Sequence, residues 1–201
     1  MFQISIRQLP DEFQEKGSTL TEIAVAIVII VFFSMVLIAD FPGIIRQFAV
    51  SRSAYKLSQD IRRTEDLGLS GIQIESQETP PPGGYGLYIN TEGGGDKQYI
   101  IYADNCSGPP NFEYDSDGCD SIIETIKMFE EKGGVYIKDI KNEVELSFSS
   151  VSINFTPPNP KVTITAAGGE INSINIVIGS TFDNNLEKII SVNSSGLIEV
   201  K

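Results

Sequence analysis

From Ile23 to Ala39 the chain reads IAVAIVIIVFFSMVLIA, with no charge and one hydroxyl, Ser34. A segment that is apolar on every side has no face to offer water, so it belongs in a core or a bilayer. Counted from Leu20 at about 1.5 Å per residue, the run reaches roughly 30 Å, the thickness of a membrane's hydrocarbon. Its all-round apolarity and its place near the N-terminus favour a membrane helix over the buried helix of a soluble domain.

What precedes the run decides its kind. A secretory signal has a positive start, an apolar stretch and then a small-residue cut site. Here MFQISIRQLPDEFQEKG is mostly polar, and Asp40, Phe41 and Pro42 follow the run where a cut site would stand. The order is a polar leader, then a glycine, then hydrocarbon. Gly17-Ser18-Thr19-Leu20-Thr21-Glu22 resembles the prepilin cleavage and methylation motif of type IV pilins and type II secretion pseudopilins. The resemblance implies a cut between Gly17 and Ser18 by a membrane aspartyl peptidase and N-methylation of Ser18. It makes Glu22 the fifth residue of the mature chain, the assembly glutamate. The sequence departs from the family pattern at Ser18, where Phe or Met is usual, and at Thr21, where an aliphatic residue is common.

Glu22 can be argued from physics as well. An ionised carboxylate within a membrane helix costs about 2.5–3.5 kcal/mol at the bilayer centre and less at its edge. Such a group takes a partner or a proton. Cleavage after Gly17 creates an amine at Ser18, one helical turn away, and a helix N-terminus favours negative charge. A pair formed between one chain's Glu22 and a neighbour's amine would set register among helices that otherwise present only hydrocarbon. The plainer alternative is a first-turn glutamate at the membrane surface.

Pro42-Gly43 predicts a kink or a short unwound stretch. Beyond it, Val50, Ala54, Leu57, Ile61, Thr64 and Gly68 recur at steps of three and four, one stripe of an amphipathic helix that would pack on a downstream sheet. Arg62 and Arg63 stand among Asp60, Glu65 and Asp66, a solvated, self-paired face rather than a phosphate-binding one. The net charge of −12 and sequence pI of about 4.4 also repel nucleic acid, which is not an expected partner. This helix after the apolar run is similar to minor subunits of the GspH/FimT kind.

From residue 72 the pattern turns to short runs rich in Ile, Val, Tyr and Thr: GYGLYIN, QYIIYA, SIIETIKMF, GVYIKDI, EVELSFS, VSINFT, KVTITA, SINIVIG, KIISVN and GLIEVK. Turn-forming clusters such as PPPGG, EGGGD and NSSG separate them. KIISVN–SS–GLIEVK reads as an antiparallel hairpin, and SQETPPPGG (76–84) as the linker from helix to head. The expected organisation is a leader at 1–17, a transmembrane helix at 18–41, its amphipathic continuation at 42–71 and a β-rich head at 72–201. The expected fold is α+β: a long N-terminal helix packed on an antiparallel β-sheet head, type IV pilin-like.

Cys106 and Cys119 flank a turn-rich loop. With no histidine and no third cysteine, a zinc site lacks ligands, and a disulfide closing the loop is expected. A bridge there fits a head on the oxidising side of the membrane. Within the loop, Glu113, Asp115, Asp117, Gly118 and Glu124 fall on positions of a calcium-loop template. Glu113 replaces the usual aspartate, Asp120 the usual aliphatic residue, and Glu124 sits in a strand-like run, so an acidic solvated turn is the simpler reading. Absence of histidine also removes the common general base near neutral pH. No nucleophile–base pair, phosphate loop or spaced carboxylate pair stands out, so no enzyme and no cofactor are expected.

The resulting expectation is a structural subunit, a minor pilin or pseudopilin, processed after Gly17 and assembled through its N-terminal helix. It would sit once across the inner membrane with the head outside the cytoplasm, then in an extracellular filament. Partners implied by the resemblance are other pilin or pseudopilin subunits, the prepilin peptidase and an inner-membrane assembly platform with its ATPase; the lipid bilayer is the fourth. The competing class is a membrane-anchored β-domain that binds a ligand and never polymerises.

Overall fold

The computed structural model describes residues 19–73, 79–106, 110–128, 134–157 and 161–201, without the side chains of 39 and 40. The expected cut at Gly17 and Ser18 and the first part of the linker lie outside these residues. Helix α1, Leu20–Ser70, runs 51 residues with Pro42 inside it. Of the kink or unwound stretch expected at Pro42-Gly43, the unwound stretch does not occur, since the helix runs through both residues. One proline removes one donor from the ladder, and a helix this long keeps its bonds on both sides of the gap.

The chain divides into two compact units, the first ending at Pro42 and the second running Gly43–Lys201. In the first unit the large apolar side chains from Leu20 to Ile38 are between 48% and 84% exposed. Its one hydroxyl in the run is satisfied within the helix, since Ser34 Oγ donates to the Ile30 carbonyl at 2.7 Å. A polar group that completes its bond locally carries no unmet demand into hydrocarbon.

Among the described residues, the second unit joins the rest of α1 to ten strands. These are β1 (Tyr85–Asn90), β2 (Gln98–Ala103), β3 (Ser121–Lys127), β4 (Val135–Lys141) and β5 (Ser150–Thr156), followed by β6 (Lys161–Ala166), β7 (Gly169–Ile171), β8 (Ser173–Ser180), β9 (Asp183–Asn193) and β10 (Ile198–Val200). They form a six-stranded sheet, β3-β2-β1-β5-β6-β7, and a four-stranded sheet, β10-β9-β8-β4. Every pair is antiparallel. The β9–β10 hairpin is the one read from KIISVN–SS–GLIEVK. The fold is therefore α+β, a long N-terminal helix on antiparallel sheets.

Alternation explains which side faces the helix. Leu87 and Ile89 of β1, Val151, Ile153 and Phe155 of β5, and Ile164 of β6 are buried, each on the same face of its strand because the side-chain period is two. Val50, Ala54, Leu57 and Ile61 of α1 meet them in one core with Ile174, Ile176 and Ile178 of β8. The stripe ends at Gly68, where a Cβ would stand 2.6 Å from the Phe155 carbonyl oxygen. Bare backbone is what lets the last turns of α1 lie on β5.

Asp60 is buried on the same helix. Lys56 Nζ donates to its Oδ2 at 2.7 Å and the Tyr99 hydroxyl donates to the same oxygen. Burial, then the Asp60 carboxylate, hold the Tyr99 phenol far above its ordinary range, so it stays a donor. A buried acid with two donors is compatible with the core; an unpartnered one would not be.

One expected strand is absent. EVELSFS forms a turn with an isolated bridge between Lys141 and Ser147. Asn142 Oδ1 accepts from the amides of Val144 and Leu146, at 3.1 and 2.9 Å, and Glu145 has φ 60°. An asparagine that takes up two backbone donors locally favours a closed turn over a regular ladder. The alternating Val144 and Leu146 face solvent.

Candidate functional site

Two places carry the sequence's functional expectations: the start of α1 and the cysteine loop. At the first, Thr19 precedes the helix, and the Glu22 amide donates to the Thr19 carbonyl at 2.9 Å and approaches Thr19 Oγ1 at 3.4 Å. Thr19-Leu20-Thr21-Glu22 thus has the pattern of a capping box, threonine at the N-cap and glutamate three residues on. This local role for Glu22 was legible as T-x-x-E and is an addition to the charge argument. It places the carboxylate in the first turn, where the helix dipole favours it. The window of α1 that is long and apolar enough to cross a membrane is wholly unburied within the chain.

At the second place, Cys106 and Cys119 stand at disulfide distance with Cα atoms 4.9 Å apart. The described part of the loop between them, residues 110–118, packs through Tyr114 on the six-stranded sheet. Tyr114 packs on Tyr88 and edge-on to Tyr102, with ring centroids 4.9 and 5.3 Å apart, and its amide donates to Ser152 Oγ at 3.1 Å. Beneath the loop, Ser152, Asn154, Thr163 and Thr165 form a buried polar layer.

The loop's base is acidic. The β2–β3 register pairs Ala103 with Ser121, so Asp104 and Asp120 are the next opposed residues beyond the ladder. Both are buried, Asp104 completely. Carboxylate oxygens of the two lie within 4.8 Å of each other and of Cys106 Sγ; Asp115 stands equally close to both cysteine sulfurs. Asp120 is satisfied, accepting the Asn105 amide at 3.1 Å and the Asp115 amide at 2.8 Å. Asp104 is not. Its Oδ2 accepts the Phe112 amide at 3.2 Å, while Oδ1 is buried with no hydrogen-bond partner. The Cys106 amide also draws on the Asp104 charge, without reaching hydrogen-bond geometry to Oδ1.

Burial foremost, then the charge of Asp120, push the Asp104 carboxyl above its ordinary range, against the pull of the Phe112 and Cys106 amides. Asp120 is raised by burial first, with Asp115 adding repulsion. Gly83 walls the site, since a Cβ there would fall 2.1 Å from Asp104 Oδ2.

The template residues separate. Asp115 joins the base of the loop, its Oδ2 accepting from Asn111 at 2.7 Å. Asp117 is exposed and Glu113 half-buried. Glu124 lies in β3 and its Oε2 accepts from Arg63 of α1 at 2.7 Å. Asp104 lies outside the template, and Asp120 falls within it at a position where the pattern wants an aliphatic residue, so neither was read as a ligand. Asp104 stands two residues before Cys106 and Asp120 directly after Cys119, so two carboxylates flanking the cysteine pair are the signal that could have pointed to them.

The described residues define an α+β protein with an N-terminal helix of membrane-crossing length and a loop-capped β-head. No known family profile matches the chain, and no curated protein does. A solved structure to which it is similar is the type IV minor pilin FimU of Pseudomonas aeruginosa, with 11% identity and a TM-score of 0.41 over 75% of this chain and 91% of that one. A likeness at that level is one of outline only.

Proposed function

We propose that the chain is a filament subunit, a minor pilin or pseudopilin. The observation that carries this reading is the run Gly17-Ser18-Thr19-Leu20-Thr21-Glu22 set directly before an unbroken apolar helix. In this reading a prepilin peptidase cuts after Gly17 and Ser18 becomes the methylated N-terminus. The helix then holds the subunit once across the inner membrane with its head outside the cytoplasm. An assembly platform with its ATPase moves it into a filament, where its helix packs among those of other pilin subunits. The GspH/FimT kind is the subtype to which the helix pattern points. The role is structural, with no chemistry of its own.

The test is the mature N-terminus. Intact mass or N-terminal sequencing of membrane-expressed chain should give a start at Ser18, and only when the peptidase is present. A chain still beginning at Met1, or cut after Ala39, sinks the reading and leaves the non-polymerising anchored module in its place.

A disulfide between Cys106 and Cys119 belongs to the same proposal, because it requires an oxidising compartment. Its loop is short, and closing it in the unfolded chain is worth about 3 kcal/mol at most. Cys106→Ser should therefore lower the unfolding midpoint of the purified chain, and reducing agent should do the same to the parent and nothing to the variant. Thiol labelling of both cysteines without reductant would rule the bridge out.

A further inference from the structure

We propose that Asp104 and Asp120 form a calcium site at the base of the cysteine loop, with the Asp115 carboxylate on the cysteine sulfurs adding negative charge nearby. Asp104 Oδ1 is the observation that points to a ligand: a fully buried carboxylate oxygen with no donor, in a residue whose other oxygen is satisfied. Asn105 Oδ1, on the next residue, is likewise buried without a partner. A buried charge left so costs several kcal/mol unless a cation or proton answers it. Among the described residues, no lysine or arginine pairs with Asp104, Asp115 or Asp120.

The donor set selects the ion. The carboxylates offer hard oxygens, and the cysteine sulfurs that stand among them are paired with each other, so thiolate-seeking metals find no thiolate. Carboxylates delivered from two strand ends and an irregular loop suit calcium, which accepts variable geometry. Magnesium demands a near-ideal octahedron and keeps its waters. A cation here ties the end of β2 to the end of β3 and pulls the loop onto the sheet, so it acts as a fastening for the head. The site does not depend on whether the chain polymerises.

The experiment uses the full chain in detergent micelles, stripped with chelator, and titrates calcium while recording heat and the thermal midpoint. Terbium luminescence sensitised by Tyr114 and Tyr102 gives an independent readout of occupancy. Expected is one saturable site with a dissociation constant of about 10⁻⁴–10⁻³ M, the range of extracellular oxygen sites, and a midpoint that rises with calcium. Asp104→Asn should weaken binding by about tenfold or more with an unchanged circular dichroism spectrum. Glu124→Gln and Asp117→Asn should bind as the parent does. No heat, no midpoint shift and no sensitised emission up to about 10 mM calcium overturn the proposal. So does an Asp104→Asn chain that binds normally. If that variant fails to fold, the parent titration and Asp120→Asn decide the matter.

Discussion

Glu22→Ala is expected to leave cleavage after Gly17 intact and to reduce incorporation of the subunit into filaments by about tenfold or more. In the proposed filament alanine would strand the amine that partners Glu22; tenfold corresponds to about 1.4 kcal/mol, a fraction of the about 3–5 kcal/mol that breaking a fully buried pair costs. The structure adds a condition that the charge argument alone lacks. Glu22 occupies the third helical position after Thr19, so alanine also removes a capping-box residue. Glu22→Gln separates the two effects, because glutamine serves in a capping box as glutamate does but carries no charge. Incorporation should fall for both variants, measured as the subunit's share in sheared filaments against its level in membranes. Normal incorporation of Glu22→Gln would show that the residue caps the helix and sets no register.

Gly68→Val should lower the thermal midpoint of the purified chain by about 6–12 °C, a loss of about 3 kcal/mol in a domain of this size. Helix propensity by itself gives the opposite sign, since glycine in a helix is about 1 kcal/mol worse than alanine. Geometry reverses it. A Cβ at residue 68 meets the Phe155 carbonyl oxygen at 2.6 Å and Phe155 Cβ at 2.9 Å, backbone-anchored atoms of β5 that have no rotamer to yield. Gly68→Ala should already destabilise, and valine more so, as the end of α1 is levered from the sheet. Gly43 supplies the contrast within the same helix. Nothing lies within 4 Å of a Cβ there, so Gly43→Ala should be neutral or stabilising. A stabilised Gly68→Ala would mean that α1 does not sit on β5 as described.

The stripe Val50, Ala54, Leu57, Ile61, Thr64 and Gly68 was legible because helical period and burial are the same signal when a helix lies on a sheet. All five side-chain-bearing members are buried to the last per cent. EVELSFS was illegible for a complementary reason. Its alternation imitates a strand, but Asn142 captures the amides of Val144 and Leu146 and closes a turn there. The three-residue β7 also escaped notice, being too short for alternation to show. At the candidate site, Asp115 could be read from the loop, whereas Asp104 and Asp120 become neighbours only through the β2–β3 register.

By itself the sequence determined the local and periodic properties: a helix too apolar for water, a glycine and a glutamate at its mouth, a stripe on its continuation, and a β-rich remainder. Each depends on residues within a few turns or a few positions of one another. Only the tertiary structure decided that the strands split into two sheets, that Gly68 is a contact rather than a weakness, and that two distant aspartates share one buried place with an oxygen left over. Those facts depend on pairing between segments far apart in the chain. Pairing is set by how the whole core closes, and no local pattern encodes it.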